Sequence, residues 1–393
     1  MQKLRVLITL IAVGGGLHAV NLAASKPAAP SLSAKGLLYV GAWPHDVLVI
    51  DEATETLVDR IDLKTGVPFT LTLSNDRKTL YATTILHSGI EVIDLTTRKV
   101  TSSFQLDLGN HQVRLGAIAV DPDGKYLYSI VAPATKEIDR FSIEDPKFIE
   151  VDLAQKKIVR SVDFPKDESS YGATGILSAY ERRLKISPDG KFLFLLRENI
   201  LVFDTKDFKL VDKIDLEKPS YPGMQSLAFE PTDDPHSPPG VITSLFNTVD
   251  PYVHAPVFGI AQLNLNTREV DFTPIGPAMR GTMTPSPGGE EPNGALYVTP
   301  DRKRGYAVAL SGAGPNRRTE FWEFDMDTKK VLKKVEFDGR RRFNVAMSTD
   351  GKSLYVYVAG YDVEIYDTDT LKLRKTIDLN ADATTNMVVV PRA

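Results

Sequence analysis

The apolar and polar positions of this chain follow one recurring pattern: an apolar strand, a polar turn of the Pro-Asp-Gly-Lys kind, an aromatic-rich strand, and a third strand that ends in Asp. The clearest copy spans residues 184–204, with its turn at residues 187–191. Gly tolerates the positive φ of tight turns, so each such turn predicts a hairpin between the first two strands. Because no long segment has helical periodicity, the pattern predicts an all-β repeat protein.

The turns give the number of repeats. First-hairpin turns occur at residues 74–78, 121–125, 187–191, 299–303 and 348–352, with a degenerate copy from Glu230 that carries an insertion through Gly240. A second hairpin is indicated where each third strand ends, at Asp51, Asp94, Asp152, Asp204, Asn264, Asp325 and Asp367. The chain therefore has seven second hairpins but six first hairpins.

The two ends of the repeat region explain the difference. Residues 36–40 read as a second strand with no first strand ahead of it, and residues 386–391 read as a first strand with no second strand after it. Together they complete one unit. We therefore predict a seven-bladed β-propeller of four-stranded antiparallel blades over residues 36–393, with the ring closed by the C-terminal strand pairing into the N-terminal blade. Such closure removes an exposed sheet edge.

The N-terminal residues predict an export signal. Basic residues precede an apolar run at residues 6–13, and the Ala-Ala-Ser at residues 23–25 offers a cleavage site. The run is short and followed by glycines, so we expect no stable membrane span after cleavage. The prediction is a signal peptide at residues 1–25, a flexible leader at residues 26–35 and a periplasmic or secreted location. An uncleaved membrane anchor is the alternative.

Composition limits the chemistry. The net charge is −4, with Lys and Arg spread along the chain, so no nucleic acid partner is expected. The sequence has no Cys, which excludes disulfides, Cys-ligated zinc, iron–sulfur clusters, c-type haem attachment, a thiol nucleophile and a Cys-crosslinked quinone in this polypeptide. We expect this chain to bind no cofactor covalently.

Two resemblances follow from these residues. The Ser-Pro-Asp-Gly-Lys turn, the Leu-Tyr-Val of residues 38–40 and the Val-Ile-Asp of residues 92–94 resemble the bacterial YVTN-type propeller repeats, over residues 36–391. A narrower resemblance depends on features outside the repeat: Val47 to Asp51 at the start, a long third blade, and closing segments at residues 343–351 and 367–371.

In that order, these features resemble the β subunit of quinohemoprotein amine dehydrogenase, a periplasmic seven-bladed propeller. In that family the propeller is a scaffold, a separate dihaem cytochrome carries electrons, and a small subunit bears a tryptophan-derived quinone. The resemblance therefore implies a non-catalytic scaffold or binding subunit, with the haem and the quinone on its two partners.

Connectivity predicts where a binding site would lie. In a propeller, the loops between the second and third strands share one face with the connections from each fourth strand to the next blade. We predict nine polar or aromatic residues at that mouth as ligand or partner contacts: His45, His87, His111, Arg114, Arg183, His254, Glu291, Arg342 and Tyr361. His236, in the fifth-blade insertion, is predicted on the opposite face. Polar loops are also what any propeller exposes.

Other functions stay open. A stand-alone periplasmic or cell-surface binding module fits the same pattern, and so does a lactonase-type hydrolase with His111, Arg114, Glu291 and Arg342 converging on one ligand. No residue is assigned as catalytic. A metal centre from His45, His87 and His111 lacks ligand spacing in the sequence, so none is predicted. The turn aspartates are expected to cap their turns rather than bind calcium.

Overall fold

The computed structural model describes residues 35–85, 88–106, 109–166, 184–196, 199–215, 224–227, 236–249, 256–277, 282–283, 296–311, 318–337, 343–358 and 360–392. Segment Leu32–Ala393 forms one compact unit. The predicted signal peptide lies outside the described residues, as does the predicted leader up to residue 34, so both stay predictions. Within the described residues, no helix has the length and apolar character needed to cross a membrane.

The described residues fold into thirty β-strands. Strands β1 to β7 are Leu37–Ala42, Asp46–Asp51, Thr56–Asp62, Pro68–Leu73, Thr79–Thr84, Gly89–Asp94 and Lys99–Gln105. Strands β8 to β16 are His111–Val120, Tyr126–Lys136, Phe141–Ile143, Lys147–Asp152, Lys157–Asp163, Leu184–Ile186, Phe192–Leu195, Asn199–Asp204 and Leu210–Asp215. Strands β17 to β30 are Met224–Leu227, Val241–Val249, Pro256–Asn264, Glu269–Pro277, Thr282–Met283, Tyr297–Val298, Arg304–Ser311, Arg318–Asp325, Lys330–Phe337, Phe343–Met347, Ser353–Val358, Asp362–Asp367, Leu373–Asp378 and Ala383–Val390.

These strands form seven antiparallel sheets, the blades of a propeller. From first to fourth strand, blade 1 contains β30, β1, β2 and β3, and blade 2 contains β4 to β7. Blade 3 contains β8, β9, β11 and β12, with β10 added beside the end of β9. Blades 4, 5 and 7 are β13 to β16, β17 to β20 and β26 to β29, and blade 6 begins with the short strands β21 and β22 before β23 to β25. The predicted all-β, seven-bladed fold is confirmed.

The ring closes as predicted. Strand β30 pairs antiparallel with β1, with Leu37 opposite Val390 and Val40 opposite Met387. The buried Glu52 joins this blade to blade 7, because its carboxylate accepts hydrogen bonds from Gly36 N at 2.5 Å and from Thr349 N at 3.1 Å. The C-terminal strand therefore completes the N-terminal blade and leaves its edge paired.

The core is distributed around the ring. Seven hydrophobic clusters are found among the described residues, and each lies between two neighbouring blades. Between blades 7 and 1, for example, Ile365 packs in one cluster with Leu48 and Met387. Each blade has an apolar face that only its neighbour can bury, which is why repeats of this kind are stable only together.

Hairpin turns follow the sequence signals. In four blades a Ser or Thr hydroxyl donates to the carboxylate of the Asp two residues later. That carboxylate also accepts a hydrogen bond from the backbone N–H of the Lys that follows the Asp by two residues. These pairs are Ser74–Asp76, Ser187–Asp189, Thr299–Asp301 and Ser348–Asp350, with oxygen–oxygen distances of 2.6 to 2.7 Å. The lysine N–H groups lie 3.0 to 3.2 Å from the Asp oxygens. These contacts confirm that the aspartates cap their turns.

Candidate functional site

The two faces of the ring differ in what they present. We call the side that holds the loops between second and third strands the loop face, and the side that holds the hairpin turns the turn face. On the turn face, the fifth-blade insertion reaches two other blades. His236 Nε2 lies 3.1 Å from Ser348 O in blade 7, and Arg302 of blade 6 donates to His236 O at 3.2 Å. His236 therefore lies on the predicted face, where it joins hairpin turns of separate blades.

Half of the exposed large apolar side chains in the described part of the chain lie on the loop face. Twelve large hydrophobic residues are exposed in the described part of the chain, and six of them lie on the outer strands of five blades. The other six all lie between a second and a third strand, in blades 7, 1, 2 and 3: Tyr361, Trp43, Ile85, Ile138, Phe141 and Ile143. These four blades are consecutive around the ring.

Blade 3 extends this face with an extra hairpin. Strand β9 is 11 residues long, and its last residues pair with β10 on one edge and with the start of β8 on the other. The turn of the hairpin is closed by Glu137 N donating to Arg140 O at 2.8 Å. Ile138 at the tip is 107% exposed, and Phe141 and Ile143 are 55% and 50% exposed. Exposed apolar residues on a well-paired hairpin are typical of a contact surface.

Charged residues pair at the turn of this hairpin and in the segment that follows β10. The Glu137–Arg140 ion pair is 2.7 Å long, and Lys147 donates to Glu144 Oε2 at 2.9 Å. The Lys147 hydrogen bond holds the pKa of Glu144 below its usual range, with a smaller contribution from His111. Both pairs are solvent exposed and add little to stability. The apolar residues Ile138, Phe141 and Ile143 stay exposed to water beside them.

Blade 1 carries a compact polar cluster. Asp46 and Asp62 are opposite each other in the register of β2 and β3, and His45 precedes β2. His45 Nδ1 lies 2.6 Å from Asp62 Oδ1 and 3.9 Å from Asp46 Oδ1. Arg60 Nη1 lies 2.6 Å from the other oxygen of Asp46. The side chain of His45 is 48% exposed, so the cluster faces solvent.

Hydrogen bonds connect this cluster to blade 7. Arg60 Nη2 donates to Leu379 O at 3.1 Å, and Leu379 N donates to Tyr361 O at 2.6 Å. His45 and Tyr361 are therefore held on neighbouring loops of the same face, as predicted. Tyr361 is 64% exposed. The part of the face formed by blades 7 and 1 is thus a connected surface that carries both polar and aromatic groups.

Two predicted positions need correction. The sequence predicts His111 and Arg114 in a connection between blades, but both lie in β8, where His111 pairs with Thr135 and Arg114 with Ala132. The reason is that the long β9 offers backbone partners well beyond the blade, so β8 starts earlier than the repeat pattern indicates. His111 Nδ1 lies 3.3 Å from Thr135 Oγ1.

The other predicted mouth residues lie outside the described part of the chain: His87, Arg183, His254, Glu291 and Arg342. Sequence reasoning missed Asp46, Asp62 and Arg60, and it did not separate the hairpin from the rest of the long third blade. The sequence did hold a signal for the two aspartates, because Asp46 and Asp62 stand at the two ends of one predicted hairpin and should therefore face each other. Blade 7 repeats that spacing with Asp362 and Asp378.

Comparisons with known proteins support the fold alone. Neither a protein-family model nor a curated protein matches the sequence. A functionally unknown protein from Desulfotomaculum acetoxidans DSM 771 is 11% identical with a TM-score of 0.53, covering 91% of this chain and 100% of that one. Dihydro-heme d1 dehydrogenase NirN in complex with DHE is 14% identical with a TM-score of 0.50, covering 94% and 78%. Kuenenia stuttgartiensis hydrazine synthase is 18% identical with a TM-score of 0.47, covering 83% and 96%.

Proposed function

We propose that this chain is an exported, non-catalytic β-propeller that binds a partner protein through its loop face. The observation that carries the proposal is the set of six exposed apolar side chains on consecutive loops of blades 7, 1, 2 and 3. Soluble proteins rarely leave large apolar patches in water unless another surface covers them. Burying one such side chain contributes about 1.5–3 kcal/mol.

The third-blade hairpin is the centre of the proposed contact. Its three apolar residues, Ile138, Phe141 and Ile143, extend from a paired strand that the blade itself holds in place. A partner that covers them gains apolar burial without ordering a flexible loop, so little conformational entropy is lost. The outer-strand residues Val58, Val159 and Leu332 lack this arrangement, because each belongs to a different blade.

The proposed complex is of the amine dehydrogenase type, with a dihaem cytochrome and a small quinone-bearing subunit as partners in the periplasm. The resemblance of the third blade and of the closing segments to the propeller subunit of that family supports this choice. The lack of Cys is consistent with it, because covalent cofactor attachment would then be the task of the partners.

The test is co-purification of the full chain from its native host, followed by absorption spectra of whatever is retained. We expect a haem-containing and a quinone-containing protein to be retained with the wild-type chain. The variant Ile138→Ser/Phe141→Ser should retain at least about tenfold less partner, as for loss of one or two buried anchors. The control Val58→Ser/Val159→Ser changes two outer-strand residues that are 43% and 42% exposed, and it should retain as much as wild type.

Each result has one meaning. Equal retention by the hairpin variant and the control would overturn the proposed loop-face contact. Retention of a partner that carries neither haem nor quinone would overturn the redox complex while leaving the binding role in place. A chain that runs as a monomer and retains no protein would overturn both.

A further inference from the structure

We infer that His45, Asp46 and Asp62 form a binding site for a first-row divalent cation, with Zn²⁺ as the reference ion. Their ligand atoms, Nδ1 of His45 and one carboxylate oxygen of each Asp, all lie within 4.8 Å of one another. No other part of the described chain brings three potential ligands of these types so close. The inference concerns this cluster alone and does not depend on the proposed partner complex.

The strand register concentrates negative charge in this cluster. Asp46 and Asp62 are a directly opposed cross-strand pair. Like charges in that position destabilise a sheet. Arg60 pairs with one oxygen of Asp46, and the other oxygen, Oδ1, faces His45 and Asp62. Two carboxylates and one guanidinium leave the cluster with a net negative charge. A divalent cation would balance that charge, whereas the His45–Asp62 hydrogen bond offsets it only in part.

The ligand types favour a particular class of ion. One imidazole nitrogen with two carboxylate oxygens suits Zn²⁺ and its first-row neighbours, while Ca²⁺ and Mg²⁺ prefer oxygen ligands alone. Metal–ligand bonds of about 2.0–2.2 Å place two ligand atoms of one ion roughly 3–4 Å apart. The 3.9 Å between His45 Nδ1 and Asp46 Oδ1 fits that range. The 2.6 Å to Asp62 must lengthen, which the 72% exposed Asp62 side chain allows.

The two aspartates differ in how firmly they are held. Asp46 is only 10% exposed in its side chain, and Arg60 holds its second oxygen at 2.6 Å. Arg60 is itself held by its hydrogen bond to Leu379 O. Such partners orient a metal ligand and strengthen binding. Asp62 is the adaptable ligand, and solvent reaches the cluster, so water can complete the coordination sphere.

Blade 7 supplies a natural comparison. Asp362 and Asp378 are opposed in β28 and β29 as Asp46 and Asp62 are in blade 1, but the residue ahead of Asp362 is Tyr361 instead of a histidine. The opposed Asp pair is therefore a recurrent feature of this face, and the histidine is what makes three ligands in blade 1. A change at Asp378 alters the same kind of carboxylate without touching the proposed site.

Isothermal titration calorimetry with Zn²⁺ alone, on the full chain without a histidine tag, tests the site. We expect one Zn²⁺ per chain at this site, and at least about tenfold weaker binding in His45→Gln and in Asp62→Asn. Asp378→Asn should bind as wild type does. The three substituted residues, His45, Asp62 and Asp378, are exposed, so circular dichroism should show these variants folded.

A second measurement identifies the ligands directly. Co²⁺ bound to wild type should give a visible absorption band that His45→Gln loses and Asp378→Asn keeps. Zn²⁺ binding that is equally strong in wild type, His45→Gln and Asp62→Asn would overturn the inference, since the metal would then be held elsewhere. Tighter binding of Ca²⁺ or Mg²⁺ than of Zn²⁺ would also overturn it.

Discussion

At the scale of single residues, the turn aspartates show how a repeated side chain serves structure. Asp189 accepts a hydrogen bond from Ser187 at 2.6 Å and one from Lys191 N at 3.2 Å. The Ser187 hydroxyl in turn accepts from Phe192 N at 3.0 Å. The two side chains thus replace missing backbone partners at the turn, which is the ordinary role of Ser and Asp in such positions.

A pH dependence follows from this turn. The Ser187 hydroxyl and Lys191 lower the pKa of Asp189 from its ordinary 3.8 to about 2. Because the pKa is lower in the folded state, the ionised Asp189 stabilises the fold above the unfolded pKa, and this stability is lost as the pH falls from about 4 to about 2. In Ser187→Ala the folded pKa should rise, so the loss of unfolding free energy between pH 7 and pH 2 should be smaller than in wild type.

Urea denaturation at the two pH values measures this difference. Ser102→Ala is the matched control, because the buried Ser102 Oγ has no hydrogen-bond partner within the described structure. That variant should lose as much stability on acidification as wild type. An equal loss in Ser187→Ala and wild type would show that the turn hydrogen bond does not control the ionisation of Asp189.

At the scale of elements, turns of neighbouring blades contact each other through a proline and a glycine. A Cβ on Gly351 would lie 2.5 Å from Cδ of Pro300 in the blade before it, and one on Gly190 would lie 2.9 Å from Cδ of Pro122. Gly240 and Pro188 repeat the arrangement at 2.7 Å. The Pro-Asp-Gly turn thus serves two purposes, since it closes a hairpin and also packs against the next blade.

Substitution of Gly351 should separate these purposes. Its φ is +70°, and the proline leaves no room for a methyl group. Gly351→Ala should reduce the free energy of unfolding by about 2–4 kcal/mol, from backbone strain and overpacking together. Gly109→Ala is the control, because Gly109 has a φ of +62° with nothing within 4 Å of the added Cβ.

The control Gly109→Ala should reduce the free energy of unfolding by about 1–2 kcal/mol, from backbone strain alone. Chemical denaturation of both variants gives the comparison. If the two substitutions cost the same, the contact between Pro300 and Gly351 contributes nothing to stability, and packing between turns is not what selects the glycine.

Blade 3 shows where reading elements from the sequence succeeded and failed. The pattern indicated a long third blade, which is correct, but not that β9 would continue past the blade to pair with β10 and with an extended β8. Residues 131–143 have no repeat counterpart to compare with. The strand continues because tertiary pairing satisfies its backbone on both edges, and local propensity does not report that.

At the scale of the whole molecule, stability depends on the joint between the two ends of the repeat region. Strand β30 enters blade 1, and Arg392 pairs with Asp51 next to it. Glu52 adds the contact to blade 7 through Gly36 N and Thr349 N. A ring transmits the failure of one interface to every other blade, because no blade buries its apolar face alone.

Glu52→Ala should therefore destabilise the whole propeller. It would leave two buried N–H groups without a partner, at a cost of about 1–3 kcal/mol for each. Glu52→Gln retains one acceptor oxygen and should lose less. Thermal unfolding followed by circular dichroism measures both, and a single cooperative transition should move to lower temperature. A second, separate transition in Glu52→Ala, or unchanged stability, would contradict a ring that unfolds as one unit.

The sequence by itself determined the class of fold, the number of blades and the way the ring closes. Those features depend on local patterns, namely the turn signals and the strand lengths of each repeat. The first and last repeats are each incomplete, which indicates that they join to form one blade. The face on which His45 and Tyr361 lie also followed, because connectivity alone assigns each loop to a side of the ring.

Only the tertiary structure decided which side chains meet. His45 and Asp62 are 17 positions apart in the sequence, and their 2.6 Å contact depends on the register of β2 and β3. A shift of that register by one residue would turn the Asp62 side chain to the other face of the sheet. The exposure of Ile138 and Phe141 depends on a pairing that the repeat does not encode. Contacts of this kind are set by strand register and by packing between blades, so residue types in order cannot specify them.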